Sequence, residues 1–284
     1  MNHPSSKKIF TSTEGMTEEC KEALRNLLVA IADTKLLLGY HYGEWTFGTP
    51  ALEAAIACCS LGQAELGHVR LLHGILNTHF GDDPEQLMEA RQPEEFASIA
   101  YLDNEIKDWA EFVAANYIVD LAVTILLHAL KDSTFQPLHM SLEKMIQEEK
   151  YHIHHGQGWF RTIALKSDLT RKVMEKYARR ALESVVVWFG PEDFRLDKVL
   201  VKDGIKTETN HDILSTLFRE VGSLSQSLQL DIGLTQEKDG NWVFNRKISW
   251  DNWNPATRRL QPGGPDEEIL FHLRGSKNRV FKLN

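Results

Sequence analysis

The chain has 284 residues, 42% hydrophobic and 25% charged, enough for a sizeable core in one large domain or two ordinary ones. Its formal net charge of −8 argues against bulk electrostatic binding to nucleic acid or an anionic membrane. The three cysteines, Cys20, Cys58 and Cys59, form no metal-type spacing, and an odd number of scattered thiols fits a reducing compartment better than a disulfide framework.

Residues 1–15 are polar and read as a flexible or loosely docked tail with no signal-peptide core. No run of about 18 apolar residues stands out, so no membrane span is expected and the expected location is cytoplasmic. A helical pattern starts near Thr17, with Glu18 and Glu19 in the first turn, where the helix dipole favours anions. Its apolar face runs Leu24, Leu28, Ile31, Lys35, Leu38 and Tyr42, and breaks between Gly43 and Gly48. Thr49-Pro50 predicts the next helix start, with Thr49 as N-cap. That second helix runs to about His79, with a stripe of Cys58, Leu61, Glu65, His68, Leu72 and Ile75; adjacent Cys58 and Cys59 read as small core residues. Residues 84–103 are rich in Glu, Gln and Pro and read as a long surface connection. A third helix is expected over about 104–131, with the stripe Trp109, Val113, Asn116, Asp120, Thr124 and Leu127. A fourth is expected over about 137–165, with Leu138, Leu142, Met145, Glu149, His152 and Trp159. Ser167-Asp168 caps a fifth helix ending near Phe189, a polar loop follows, and Asn210 caps a sixth to about Leu230. The domains expected are the tail 1–15, a helical domain 16–230 and an irregular extension 231–284 packed on it. That extension carries Trp242, Trp250 and Trp253 and a short strand within 241–248.

Four stripes carry a polar group where the core should be: Lys35, then Glu65 with His68, then Asp120, then Glu149 with His152. Residues three apart share a helix face, and a buried charge is costly unless paired or metal-bound. One Glu-x-x-His on a helix is most often a solvated pair. Two of them in apolar stripes, with Asp120 in phase between, point to a metal site. Dimetal bundles take one carboxylate from each of two helices and Glu-x-x-His from the other two, and ferritin-like bundles use one long crossover connection. The predicted fold is therefore all-α: a ferritin-like four-helix bundle with extra C-terminal helices and a Trp-rich tail. The predicted metal ligands are Glu65, His68, Asp120, Glu149 and His152. Carboxylates with imidazoles suit iron or manganese, and open coordination positions would admit dioxygen. Asn116 or Glu148 is placed to orient the histidine ligands through their other ring nitrogen. His41, His73, His79, His128, His139, His154 and His155 read as ordinary core or surface residues.

Further segments extend the pattern: Gly43-Glu44-Trp45, Gln63-Ala64-Glu65-Leu66-Gly67-His68, Val119-Asp120, Glu148-Glu149-Lys150-Tyr151-His152, Gln157-Gly158 and Trp188-Phe189-Gly190-Pro191. On these residues, from about Leu36 to Gly190, the chain resembles the phenylacetyl-CoA epoxidase A and C subunits, the phenylacetic acid catabolic proteins. The resemblance implies a diiron oxygenase of phenylacetate catabolism, with dioxygen and an aromatic acyl-CoA as substrates. It also implies a reductase partner and an oligomer, homo- or hetero-, with a related subunit. In that family the catalytic A subunit holds the ligands and its C partner lacks most of them. On ligand retention this chain is nearer A, while its Gly-Glu-Trp loop is similar to C.

One position departs from that pattern. Ten residues before Trp45, where the A subunit has a ligating glutamate, stands Lys35. A protonated ammonium cannot ligate a metal. With Lys35 charged, Glu65, Asp120 and Glu149 keep two net negative charges, which one divalent ion neutralises and two would overfill. The expected cofactor is iron, two ions or one, with manganese as the alternative, and the charge count leans to one. A metal-free ion network, rescue by Glu44 from the helix end, and Lys35 snorkelling outward with a water in its place stay open; Asp33 points to another face. The catalytic set is Lys35, Glu65, Asp120 and Glu149. The function expected is a metal-dependent oxygenase, against a non-catalytic structural partner of one and, third, iron storage. Arg70, Arg161, Lys166, Arg179 and Arg180 are spread over three helices and single out no CoA site.

Overall fold

The computed structural model describes residues 8–281. Two helical hairpins make the bundle. The first pairs α1 (Glu18–Trp45) with α2 (Leu52–Phe80), and the second pairs α3 (Trp109–Leu130) with α4 (Gln136–Lys166). Residues 81–108 cross from one hairpin to the other, with only short turns of helix on the way. The fold is thus the all-α, ferritin-like bundle that the stripes predict. Around it lie α5 (Asp168–Phe189), α6 (Arg195–Lys202), α7 (Asn210–Ser227), a two-stranded hairpin of β1 (Leu234–Gln236) and β2 (Trp242–Phe244), and α8 (Glu267–Leu273).

Glycine decides how closely the bundle helices meet. A methyl group at Gly39 of α1 would lie 3.2 Å from Glu65 Cβ on α2, and one at Gly156 of α4 would lie 2.9 Å from Tyr117 Cα on α3. Both close approaches sit beside the polar stripes. Tyr117 belongs to a π turn, Ala115–Val119, that interrupts α3 immediately before Asp120. Such single widened turns recur at functional sites.

Several local expectations need correction. Thr49 does not cap α2: its hydroxyl donates to Ala51 O at 3.0 Å, and the helix begins at Leu52 without a side-chain cap. The α3 helix starts at Trp109, because the Asp108 carboxylate accepts from Ala110 N and Glu111 N at 2.9 and 3.0 Å. Thr209, not Asn210, caps α7, sharing a capping box with Asp212. The loop after Phe189 contains α6, whose Leu196 and Leu200 are buried. Cys59 is exposed while Cys58 is buried. The helix Trp109–Leu130 is long and apolar enough by composition to cross a membrane although Glu111 and Asp120 interrupt its apolar residues; it is the core helix of the bundle, mostly buried. Of the 1–15 tail, residues 1–7 lie outside the described residues; Phe10 is held by Phe10 N→Thr134 O at 2.8 Å and Gln136 N→Phe10 O at 2.9 Å.

The C-terminal extension is latched by two adjacent arginines. Arg259 donates to Asp103 and to Ser98 O, and Arg258 lies over the Trp188 ring at 4.7 Å.

Candidate metal centre

Lys35, Glu65, Asp120, Glu149 and His152 are all fully buried, delivered by the four stripes to one level of the bundle. Lys35 Nζ donates to Glu65 Oε1 at 3.0 Å and Glu149 Oε1 at 2.5 Å, and lies 3.7 Å from Asp120 Oδ1. It does not snorkel outward. His152 Nδ1 is 3.1 Å from Glu65 Oε1 and 3.5 Å from Asp120 Oδ2. One ligand atom from each of Glu65, Asp120, Glu149 and His152 falls within 4.8 Å of the others. His68 stands beside this group. Its Nε2 donates to Glu148 Oε2 at 2.8 Å, and its Nδ1 faces Glu149 Oε1 at 3.3 Å.

Further side chains fix the carboxylates. Tyr42 OH donates to Asp120 Oδ2 at 2.7 Å, and Thr124 Oγ1 donates to Glu149 Oε2 at 2.9 Å. Asn116 Nδ2 donates to Tyr42 OH, to Asp120 Oδ2 and to the His152 carbonyl, so Asn116 meets the backbone of His152 and not its ring. Tyr42 and Thr124 were not singled out from the sequence. The signal was present, since Tyr42 lies two turns beyond Lys35 on one face and Thr124 one turn beyond Asp120. Asp33 pairs with Arg91 at 2.5 Å and Glu44 is exposed, so neither enters the centre.

The electrostatics are those of surplus negative charge. Burial alone would lower the Lys35 pKa, but Glu149, Glu65 and Asp120 together hold it well above the ordinary lysine range. Burial opposes ionisation of Glu149 too, yet Lys35 and the two histidines hold its carboxyl well below the usual range. Glu65 is raised, burial outweighing Lys35. His152 is raised to about 10: burial opposes this, and the Glu65 and Asp120 carboxylates overcome it. Protons on Lys35 and His152 therefore hold the carboxylates together when no ion does so.

Several buried atoms in the cluster make no well-formed hydrogen bond: Glu65 Oε2, Asp120 Oδ1, His68 Nδ1 and both ring nitrogens of His152, of which Asp120 Oδ1 and the two Nδ1 atoms have only ion-pair neighbours. Such atoms are costly unless something binds them. The donor set fits one divalent ion held by Glu65, Asp120, Glu149 and His152. It fits a second poorly, because Lys35 Nζ stands against the two carboxylates that would have to bridge. A surface cleft of about 700 Å³ between α2 and α4 reaches His68, Glu148 and His152, with Arg70 and Lys144 also in its wall.

The family model for phenylacetic acid catabolic proteins matches residues 1–251. The chain belongs to the phenylacetic acid catabolic protein family. The match extends well past the 36–190 segment that carries the motifs and takes in the start of the C-terminal extension. The C subunit of the 1,2-phenylacetyl-CoA epoxidase of Escherichia coli (strain K12) is 23% identical over 179 residues, covering 63% of this chain and 71% of that protein. The chain is thus related to a component of an epoxidase of phenylacetate catabolism.

Proposed function

We propose that this chain is a metal-dependent oxygenase subunit of monooxygenase or epoxidase type, acting on an aromatic acyl-CoA, with one divalent ion at Glu65, Asp120, Glu149 and His152. The observation that carries this reading is the convergence of buried, unpartnered ligand atoms from three helices beside an open cleft. Iron or manganese held there would supply electrons and an open coordination position to dioxygen. The chain's own groups do the rest. Tyr42 and Asn116 hold Asp120, and Thr124 holds Glu149. Glu148 fixes the His68 ring through Nε2, leaving Nδ1 facing the carboxylates. Lys35 neutralises carboxylate charge that a second ion would otherwise balance. The cleft between α2 and α4 is where this reading seats the acyl group. A reductase and a related subunit are the partners this reading entails, in the cytoplasm.

One observation favours a second reading. Lys35 Nζ already bridges Glu65 and Glu149, which suits a non-catalytic structural partner whose centre is a closed ion network. Metal analysis after iron-supplemented expression separates the two. About one ion per chain supports the oxygenase reading; none sinks it; about two removes the role given to Lys35. Lys35→Glu sharpens the test, with occupancy expected to rise to about two as the missing carboxylate of the dimetal pattern is restored. Unchanged occupancy would place Lys35 outside the site's metal chemistry.

A further inference from the structure

A continuous run of aromatic rings joins the carboxylate centre to the surface near the α1–α2 turn. The Tyr42 ring stands edge-on to Phe112 with centroids 5.2 Å apart. Phe112 stacks on Trp109 at 5.1 Å and on Trp45 at 5.8 Å, and the two indoles are 5.7 Å apart. Trp45 is only partly buried and lines a surface cavity of about 240 Å³ with Glu44, Gly48 and Lys107. At the inner end, Tyr42 is fully buried, donates to Asp120 Oδ2 at 2.7 Å and stands edge-on to His152 at 5.5 Å.

Packing alone does not select these side chains. A phenylalanine at 42 would fill the same space without placing a hydroxyl in the core. The Trp109 indole nitrogen is buried and has no hydrogen-bond partner, a cost that a purely apolar ring would avoid. What tyrosine and tryptophan add over phenylalanine is that each can lose one electron. Tyrosine does so readily only when its phenolic proton has somewhere to go, and Asp120 Oδ2 is in place to take it.

We propose that Trp45, Trp109, Phe112 and Tyr42 form a one-electron relay between the surface cavity at Trp45 and the carboxylate centre. It rests on the oxygenase reading, in which an ion held by Glu65, Asp120, Glu149 and His152 would let dioxygen act as the one-electron oxidant. That oxidant takes one electron from Tyr42 as the phenolic O–H bond breaks and its proton passes to Asp120 Oδ2, giving a neutral tyrosyl radical. The indole pair returns an electron across Phe112 and Asp120 returns the proton, restoring the phenol. A soluble one-electron donor of the thiolate or ascorbate class, meeting Trp45 at the cavity, reduces the indole radical cation. The centre is thereby quenched without being opened to solvent whenever no organic substrate consumes the oxidant.

The test uses the full chain stripped of metal, so that it reports on the relay whether or not the centre proves to bind an ion. A laser flash on a soluble ruthenium tris-bipyridine photo-oxidant with a sacrificial electron acceptor oxidises accessible indoles. Expected is an indole radical that converts to a tyrosyl radical, followed by near-ultraviolet absorbance and electron paramagnetic resonance, with conversion slowed in deuterium oxide. Tyr42→Phe should lose the tyrosyl signal and lengthen the life of the indole radical. Tyr151→Phe, at the exposed tyrosine of the α2–α4 cleft, should change neither. Trp109→Phe keeps the packing and the phenol but removes the hop, so it should lower the tyrosyl yield; it also serves if Tyr42→Phe fails to fold. A tyrosyl signal that survives Tyr42→Phe, or that disappears in Tyr151→Phe, overturns the relay. So does its absence from the unsubstituted chain.

Discussion

Among the described residues two lysines are buried, Lys35 and Lys206, and they sit in opposite kinds of surroundings. Lys206 Nζ donates to Asp197 and to Asn210 Oδ1; the other Asp197 oxygen accepts from Asn210 N at 2.9 Å, and Asn210 Nδ2 donates to Phe189 O at 2.6 Å. Among the described residues, no side-chain nitrogen or oxygen of Lys206, Asp197 or Asn210 is left without a partner. Lys35 faces three carboxylates, which two imidazoles also approach, and several atoms of this group are left without a hydrogen bond. The pKa shifts follow. Burial lowers Lys206, outweighing the opposing pull of Asp197, while Lys35 is raised because Glu149, Glu65 and Asp120 together outweigh its burial. A closed polar network fixes the junction of α5, α6 and α7. An open one costs stability unless something binds it.

The largest effect expected distinguishes the two lysines directly. Lys206→Met leaves buried Asp197 without the ammonium that donates to it, which costs about 3–5 kcal/mol, and thermal melts should show the same loss with and without a divalent metal. Lys35→Met should cost a comparable amount in the metal-free chain, but manganese or ferrous iron should restore most of it. If the two variants respond alike to metal, the contrast between the clusters fails.

Two buried histidines give the next test, with opposite signs. His41, whose Nε2 lies 2.9 Å from Leu102 O, is lowered to about 4 by burial. The fold needs it neutral, so its contribution is complete above the unfolded value near 6.5. It is lost as pH falls towards 4, about 3 kcal/mol in all. His152 is raised to about 10, so its contribution is complete below about 6.5 and fades as pH rises towards 10. Melting temperature against pH should therefore fall at both ends. His41→Gln should flatten the acid limb. A bound ion needs His152 unprotonated, so metal should flatten the alkaline limb; an alkaline limb indifferent to metal would remove His152 from the ligand set.

Metal stabilisation itself comes next in size. At about one hundred times its dissociation constant, a single ion binding only the folded chain adds about 2.7 kcal/mol. His152→Ala should abolish that gain. His68→Ala should leave most of it, because His68 lies outside the four-residue group and is already engaged by Glu148. Equal losses from the two variants would favour a two-ion centre.

The order of the bundle helices and the charged and imidazole groups of the centre could be read from the sequence, because both rest on side chains three and four apart on long stripes. Lys35 was visible as a departure, but whether it pointed in or out was not: an amphipathic stem can do either, and only the neighbouring α2 and α4 carboxylates decide it. Tyr42 was hidden because an aromatic residue on an apolar face needs no explanation until Asp120 is found against its hydroxyl. The helix starts failed where local hydrogen bonding competes, as at Thr49, whose hydroxyl finds Ala51 O. The α6 helix failed because eight residues give too short a periodicity. The latch formed by Arg258 and Arg259 depends on contacts with residues near 100 and 190, which no local pattern records.

The smallest effect probes the boundary between the open network and its support. The two oxygens of Glu149 face different groups: Oε1 meets Lys35 and His68, and Oε2 accepts, among the described residues, only from Thr124 at 2.9 Å. Thr124→Val keeps the shape and removes that donor. The metal-free chain should lose about 1 kcal/mol, the ordinary cost of a buried acceptor left without a partner. The freed carboxylate can then rotate, so metal affinity should fall by about tenfold, as it does when the residue orienting a ligand is removed. A comparable change in the closed network, Asn210→Ala, should reduce stability and leave metal affinity unchanged. Calorimetric titration of manganese into both variants reads this difference. If Thr124→Val destabilises without weakening metal binding, Glu149 is held by Lys35 alone, and the centre is closer to the closed network of Lys206 than its unpaired atoms indicate.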